Sequence, residues 1–457
     1  MMRDSYDVIV VGTGIIGLMI TYKLSHYDLR VLAIDRNPEP GWGVSRAHAA
    51  VVHVVQLPLR SLKSKLARSG NPELLRICDE LGVRYRRTST LILATEPHHL
   101  LALPLIYLYL RLNLRGFSVR LRGRGPLLRE EPALSNRVLG GIEVGGYAVV
   151  DNFDLLYALY EFSKSNGVEF SLGEEVRGVE QLDGSVRVIT DRGAYEASYL
   201  VNAAGLWADE VLKLTGGNIK FELGKGVLLV FDRAISSRLL APLYLKPDPK
   251  TKGGAIMFTH DNRGLWGPNL RFTERKDDTS ADEQDLRTLT EKFSRLIKTD
   301  AGIPIKAYAG IRPIPPGDDF IIERRGRVIH VLGTESPGFT ASPSLAELVL
   351  RMLGDSGLRL NEKPVSRREP FRRARDDPKR ARGHVICVCN LVTEEEIREA
   401  VRRGAKTLKG IFYRTGACMG TCQGSRCLAD VLEVAADEMG VDARHLQLGG
   451  DGSWVVS

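Results

Sequence analysis

Five of the six cysteines fall within 41 residues, as Cys387-Val388-Cys389, then Cys418, then Cys422 and Cys427. Thiols crowded in this way suit a metal ion or an iron-sulfur cluster, because disulfides are rare in a chain that shows no secretory signal. The remaining Cys78 lies in a helical stretch and reads as core. A second chemical signature stands at the start of the chain. Gly12-Thr13-Gly14-Ile15-Ile16-Gly17 follows the apolar run 6–11, opens a helix, and is followed by a second apolar run ending in Asp35, 23 residues after Gly12. Each part has a task in holding a dinucleotide: Gly12 permits the tight turn, Gly14 lets backbone approach a pyrophosphate, and Gly17 lets helix pack on strand. Free N–H groups at the helix start attract phosphate, and Asp35 can accept from ribose hydroxyls. The motif leaves the identity of the dinucleotide open.

The elements that must position these residues are spread over 457 residues, enough for two or three domains, with 43% hydrophobic and 26% charged residues as in soluble globular proteins. No run approaches the roughly 20 apolar residues of a membrane span, and residues 1–4 lead straight into the first strand, so a cytoplasmic protein is expected. Of the net charge of +8, the stretch 367–382 supplies +5, from eight Lys or Arg against three acids. The excess therefore belongs to one segment, which reads as a solvated tether or a docking point for an acidic partner or anionic membrane. No aromatic interleaving or nucleic-acid module accompanies it. Residues 100–110 carry no charge; the spacing suits a buried helix or a subunit contact, with attachment to a membrane surface as the second reading. Strands 168–198 alternate as a small antiparallel meander, and strand 199–205 ends in Ala203-Ala204-Gly205, where small residues let backbone touch a ligand. Strands between 223 and 267 and an amphipathic helix at 280–298 lack any phosphate loop and form the natural substrate part. A glycine turn at 333–340 leads into a helix whose N-terminus can face an anion or a flavin edge. Thr393 and Glu396 form a capping box for the helix 394–403.

With these parts in place, residues 1 to about 360 resemble the FAD-dependent oxidoreductases of the D-amino-acid-oxidase fold, and within them anaerobic-type glycerol-3-phosphate dehydrogenase and L-2-hydroxyglutarate oxidase. The resemblance rests on Gly12 to Gly17 with Asp35, the 43–53 loop, Val149-Val150-Asp151, Asn202 to Leu206, Ala309 to Pro313, and Glu335 to Pro343. The cysteine region resembles the bacterioferritin-associated-ferredoxin-type [2Fe-2S] domain. An α/β fold is implied: a Rossmann-like FAD-binding part (about 1–90, 145–220 and 305–362) interleaved with an α+β substrate part (about 91–144 and 221–304), a basic linker at 363–384, and a small helical [2Fe-2S] domain at 385–457.

The resemblance makes the dinucleotide FAD, with contacts at Gly12, Gly14, Gly17, Asp35, Arg36, Ser45, Val176, Ala204, Gly205, Gly338, Phe339 and Thr340. It makes Cys387, Cys389, Cys422 and Cys427 the cluster ligands; zinc is the alternative, for which CxC is poor spacing. Cys418 stands where the family has glycine. His53 matches the family's histidine and is the candidate base, although Val54-Val55 follow it where the family has Ala-Gly. Arg312 is the candidate clamp for a phosphate or carboxylate, and Lys252 matches a lysine near the substrate's charged end. The implied reaction is oxidation of sn-glycerol 3-phosphate to dihydroxyacetone phosphate by hydride transfer to flavin, with electrons leaving through the cluster to an acceptor protein or quinone-linked chain. Other dehydrogenase subunits and the inner face of the cell membrane are the implied partners. A 2-hydroxyacid or amino-acid dehydrogenase, and an electron-transfer flavoprotein subunit without its own substrate, are the alternatives.

Overall fold

The computed structural model describes residues 5–245, 253–367, 369–371, 373–376, 383–450 and 452–455. Ser5–Val11 becomes the inner strand of an eight-stranded sheet, because a parallel strand is covered on both faces and needs a continuous apolar run. Val10 pairs with Val201 on one side and Ala33 on the other. Alternation then divides the strand: Val8 and Val10 face the helices Ile15–Leu24, Leu62–Leu81, Asn152–Ser165 and Gly338–Asp355. Ile9 and Val11 face the hairpin Val176–Gln181 and Val186–Thr190.

A second sheet of nine strands runs from Pro304–Ile314 at one edge through Glu222–Phe231 and Gly264–Thr273 to Tyr85–Ala94, Gly140–Val150 and Val51–Val52. Strand Pro304–Ile314, expected with the cofactor part, is thus hydrogen-bonded into the other sheet, against Glu222–Phe231. The uncharged 100–110 stretch lies in the helix Pro97–Asn113, but the helix is not buried: only His99, Leu103 and Leu110 of it are. Among the described residues, no helix is long and apolar enough to cross a membrane.

The cysteines sit in a compact unit of three helices, Glu394–Arg402, Leu408–Thr415 and Leu428–Met439, and one two-stranded ladder, Val385–Cys387 with Val392–Thr393. The capping box of Thr393 and Glu396 starts its first helix. This unit is seated on the body by buried polar contacts. The Glu39 carboxylate accepts from the backbone of Lys406 and Thr407 at 2.8 and 3.2 Å, at the start of Leu408–Thr415. Phe153 stacks on Tyr413, ring centroids 4.2 Å apart, and Arg414 donates to Glu161 at 2.6 Å.

The segment before the unit departs from a solvated tether. Arg373 is only 5% exposed and donates to Asp151 at 2.6 Å and to the Arg414 carbonyl at 3.0 Å. A buried guanidinium requires such partners, and Asp151 supplies the charge. Arg368, Arg372, Lys379, Arg380 and Arg382 lie outside the described residues.

Candidate active site

A cavity of about 910 Å³ runs between the two sheets and reaches the cysteine unit. At one end, Gly12 has φ +102°, and a side chain there would put Cβ 2.5 Å from the Ala203 carbonyl oxygen. A Cβ on Gly17 would overlap the Gly12 carbonyl. These glycines are therefore required by the packing of turn, helix and strand. Gly14 and Ser45 line the cavity, and Ser45 Oγ accepts from the Ile15 N–H at 2.9 Å, so it lies over the first free donor of the helix. The Asp35 carboxylate also lines the wall, held by Thr13 (N–H 2.7 Å, Oγ1 2.8 Å) and Asn37 (N–H 2.9 Å, Nδ2 2.8 Å). Val176, Ala204 and Gly205 face them across the cavity. Arg36 stacks on Trp207 with Cζ 3.8 Å from the ring centre, and Lys276 approaches the same ring at 4.6 Å. An anionic dinucleotide fits this cradle of backbone donors, open glycines and flanking cations.

The other end is built from distant segments. Along Pro304–Ile314 the residues Lys306, Tyr308, Gly310 and Arg312 share one face by alternation. Gly310 lets the 44–49 loop cross it, since a Cβ there would stand 2.7 Å from the Ala47 carbonyl oxygen. Tyr308 Oη donates to the His48 carbonyl at 3.1 Å. His48 lines the cavity, its ring 4.8 Å from that of Phe339, and Nδ1 accepts from the Ala50 N–H at 2.9 Å. His53 is fixed through its backbone: its N–H donates to Thr340 Oγ1 at 3.0 Å and its carbonyl accepts from Asn71 Nδ2 at 3.1 Å. Burial, reinforced by the Arg312 and His48 charges, pulls the His53 imidazole down to about 4. Burial does the same to His48, also to about 4. Both rings are therefore neutral near pH 7 and weaker bases than an exposed histidine, and the one lone pair of His48, on Nδ1, is already engaged by the Ala50 N–H. Arg312 is half-buried and its Nη1 lies 3.9 Å from Glu335, a long separation for an ion pair. Glu335 also faces Lys63 at 3.2 Å.

The structure thus brings Gly12, Gly14, Asp35, Arg36, Ser45, Val176, Ala204 and Gly205 to the lining of one cavity. His53, Arg312, Gly17, Gly338, Phe339 and Thr340 stand outside that lining, next to residues that belong to it: His48 beside Phe339, Ile311 and Pro313 beside Arg312. Lys252 lies outside the described residues. Sequence reasoning passed over His48 and Tyr308. The signal for His48 was its place in the same loop as His53; that for Tyr308 was its spacing of four residues from Arg312.

In the cysteine unit, Cys387, Cys418 and Cys427 are buried, Cys422 is half-buried and Cys389 exposed. Cys418 Sγ lies 3.7 Å from Cys427 Sγ, and Cys418 holds φ +59°. Gly420 and Gly424 make room: a Cβ on the first would overlap Cys389, and on the second would stand 3.1 Å from the Cys418 Cβ. Backbone N–H groups of Gly424 and Arg426 help hold the Cys422 thiol down to about 7. Among the described residues no three ligating side chains converge on one point, as a single metal ion would need. A two-iron cluster takes its four thiolates as two pairs, and Cys389 with Cys422 and Cys387 with Cys427 lie within hydrogen-bonding reach of each other, which fits that demand. Asn390, Gly416, Met419 and Gln423, from the loops that carry the cysteines, line the same cavity as Ala47 to Ala50.

Residues 7–352 match the family model "FAD dependent oxidoreductase", and residues 385–437 match the "BFD-like [2Fe-2S] binding domain". The chain is 29% identical over 476 residues to a glycerol 3-phosphate dehydrogenase of Caloramator mitchellensis, covering 99% of this chain and 98% of that one. It is 24% identical over 381 residues to a glycerol 3-phosphate oxidase of Mycoplasma pneumoniae, covering 79% and 97%. The solved structure of dithionite-reduced L-alpha-glycerophosphate oxidase from Mycoplasma pneumoniae with FAD bound superposes with TM-score 0.74 at 22% identity, over 80% of this chain and 98% of that one, a likeness of fold. With the glycine cradle matching FAD and the paired thiols matching a [2Fe-2S] cluster, the chain belongs to the FAD dependent oxidoreductase family and carries a BFD-like [2Fe-2S] domain behind it.

Proposed function

We propose that the protein is a dehydrogenase that oxidises sn-glycerol 3-phosphate to dihydroxyacetone phosphate and sends the electrons out through its [2Fe-2S] cluster. The observation that carries this reading is the end-to-end likeness to the Caloramator glycerol 3-phosphate dehydrogenase, which spans both modules. The shared cavity wall supports the electron route: Asn390, Gly416, Met419 and Gln423 border the same space as the 47–50 loop. Bound FAD supplies the two-electron acceptor for the carbon being oxidised.

The chain's own residues do the rest. Arg312 holds the substrate phosphate through its forked donors, and the long Glu335 contact leaves it able to do so. His53, neutral before substrate arrives, takes the hydroxyl proton. An anionic substrate beside Arg312 offsets the charge that depresses His53 and raises its basicity when it is needed. Gly12, Gly14 and Ser45 hold the pyrophosphate, Gly17 packs the helix against their turn, and Asp35 holds the ribose, whose hydroxyl replaces Thr13 Oγ1 or Asn37 Nδ2 as donor. Arg36, Val176, Ala204, Gly205 and the turn at Gly338, Phe339 and Thr340 complete the FAD contacts. Cys387, Cys389, Cys422 and Cys427 ligate the cluster. The electrons pass to an acceptor protein, a further subunit or a quinone-linked chain at the inner face of the cell membrane.

The test is anaerobic reduction of the purified holoprotein. Bleaching of the flavin by glycerol 3-phosphate, followed by reduction of the cluster, supports the reading. Bleaching only by 2-hydroxy or amino acids assigns Arg312 to a carboxylate instead, and no bleaching by any of them leaves an electron-relay subunit.

A further inference from the structure

We propose that the helix Pro97–Asn113 and the arginines that follow it form a docking face for an anionic phospholipid surface. The helix turns its leucines outward: Leu101, Leu105, Leu108 and Leu112 are 82%, 72%, 52% and 63% exposed. Their spacing of four, three and four residues places all of them on one stripe. Leu103 and Leu110 on the opposite side anchor the helix to the core of the second sheet. Scattered exposed leucines are ordinary, but a continuous stripe on one element is not.

The charge around the stripe selects the occupant. From residue 97 to residue 129 there is no Asp or Glu, while Arg111, Arg115, Arg120, Arg122, Arg124 and Arg129 fall in that span. Arg122 pairs with Glu130 and Glu143. The other five are exposed and have no ion-pair partner among the described residues. Contact with a second copy through this face would bring two such arginine sets together, with the nearest acids in sequence, Glu96 and Glu130, outside the span. An anionic bilayer offers what the face lacks: hydrocarbon for the leucines and phosphate for the guanidinium groups. At 17 residues the helix is about 26 Å long, and it lies in the interface plane, held at one side by its protein contacts. Its purpose rests on the proposed delivery of electrons to a quinone-linked chain, but its test does not.

The holoprotein is sedimented with vesicles of phosphatidylcholine containing phosphatidylglycerol and with vesicles of phosphatidylcholine alone. The wild type is expected to pellet with the first, and at least about tenfold less with the second or at high salt. Leu101→Glu with Leu105→Glu, and separately Arg111→Glu with Arg115→Glu, should each weaken partition by about tenfold or more, with flavin content and dye-linked turnover unchanged. Wild type remaining in the supernatant with anionic vesicles overturns the proposal, as does equal partition of both variants. A concentration-dependent dimer abolished by the leucine variant also overturns it, in favour of self-association. Loss of glycerol 3-phosphate oxidation with intact vesicle binding would sink the substrate reading and leave this one standing.

Discussion

The two ends of the cavity are assembled in different ways. At the proposed phosphate end, Gly12, Gly14, Gly17 and Asp35 come from 24 consecutive residues, and what that end offers is largely backbone donors and the absence of side chains. At the proposed reacting end, His48 and Tyr308 on the lining and His53, Arg312 and Thr340 beside it come from three separate segments and are held by long-range bonds, such as His53 N–H to Thr340 and Tyr308 to the His48 carbonyl. Local geometry builds the first end; packing of two sheets against one helix builds the second. A binding site made of backbone tolerates little change at its glycines, whereas a site made of side chains can be retuned one residue at a time.

The largest expected effect tests the rigid end. Gly12→Val should leave the purified protein without flavin absorbance, because a side chain at φ +102° collides with Ala203; retention of full flavin would break the contrast. At the adaptable end, His53→Ala should keep its flavin and lose turnover by about 10²–10⁴-fold, measured with a dye acceptor. Unchanged turnover would move the base elsewhere. Arg373→Ala probes the seat of the cysteine unit. Burial pushes the Asp151 carboxyl up, but Arg373, His260 and Arg84 overcome this and hold it below the ordinary carboxylate range. Removing Arg373 should cost about 3–5 kcal/mol, seen as a lower melting temperature and slower reduction of the cluster by the flavin.

The pH dependence is a separate handle on the same end. His48 and His53 take up protons near 6.5 when unfolded but near 4 when folded. The unfolded state therefore binds more protons between those values, so their stability contribution is present above about 6.5 and is lost as pH falls toward 4. Melting curves across this window should show it, and His48→Asn should roughly halve it. Smallest of all, Cys418→Ala should keep two irons per chain and an unchanged cluster spectrum, whereas Cys427→Ala should lose both. Iron loss from Cys418→Ala would put it, 3.7 Å from Cys427, among the ligands.

The motif order, the strand and helix pattern and both cofactor modules were legible in the chain because each depends on residues close in sequence. The capping box at Thr393 and Glu396 is a case in which three-residue spacing sufficed. Three features were not legible. The 100–110 stretch looked buried because composition shows how apolar a helix is, not which side meets the core. Arg373 looked like part of a tether because its partner Asp151 is 222 residues away. Strand 304–314 joined the second sheet because pairing with 222–231 is a matter of register between distant strands.

By itself, the sequence determined the glycine turn of residues 12–17 that opens a helix and the gathering of thiols from residue 387 onward. Backbone conformation and thiol chemistry are local properties, and they do not depend on how the sheets pack. Only the tertiary structure decided that the cysteine loops wall the same cavity as the 47–50 loop, that burial and Arg312 together lower His53, and that the leucines of 101–112 face outward. Those outcomes depend on which surfaces meet, and on the charges and solvent that each group then encounters.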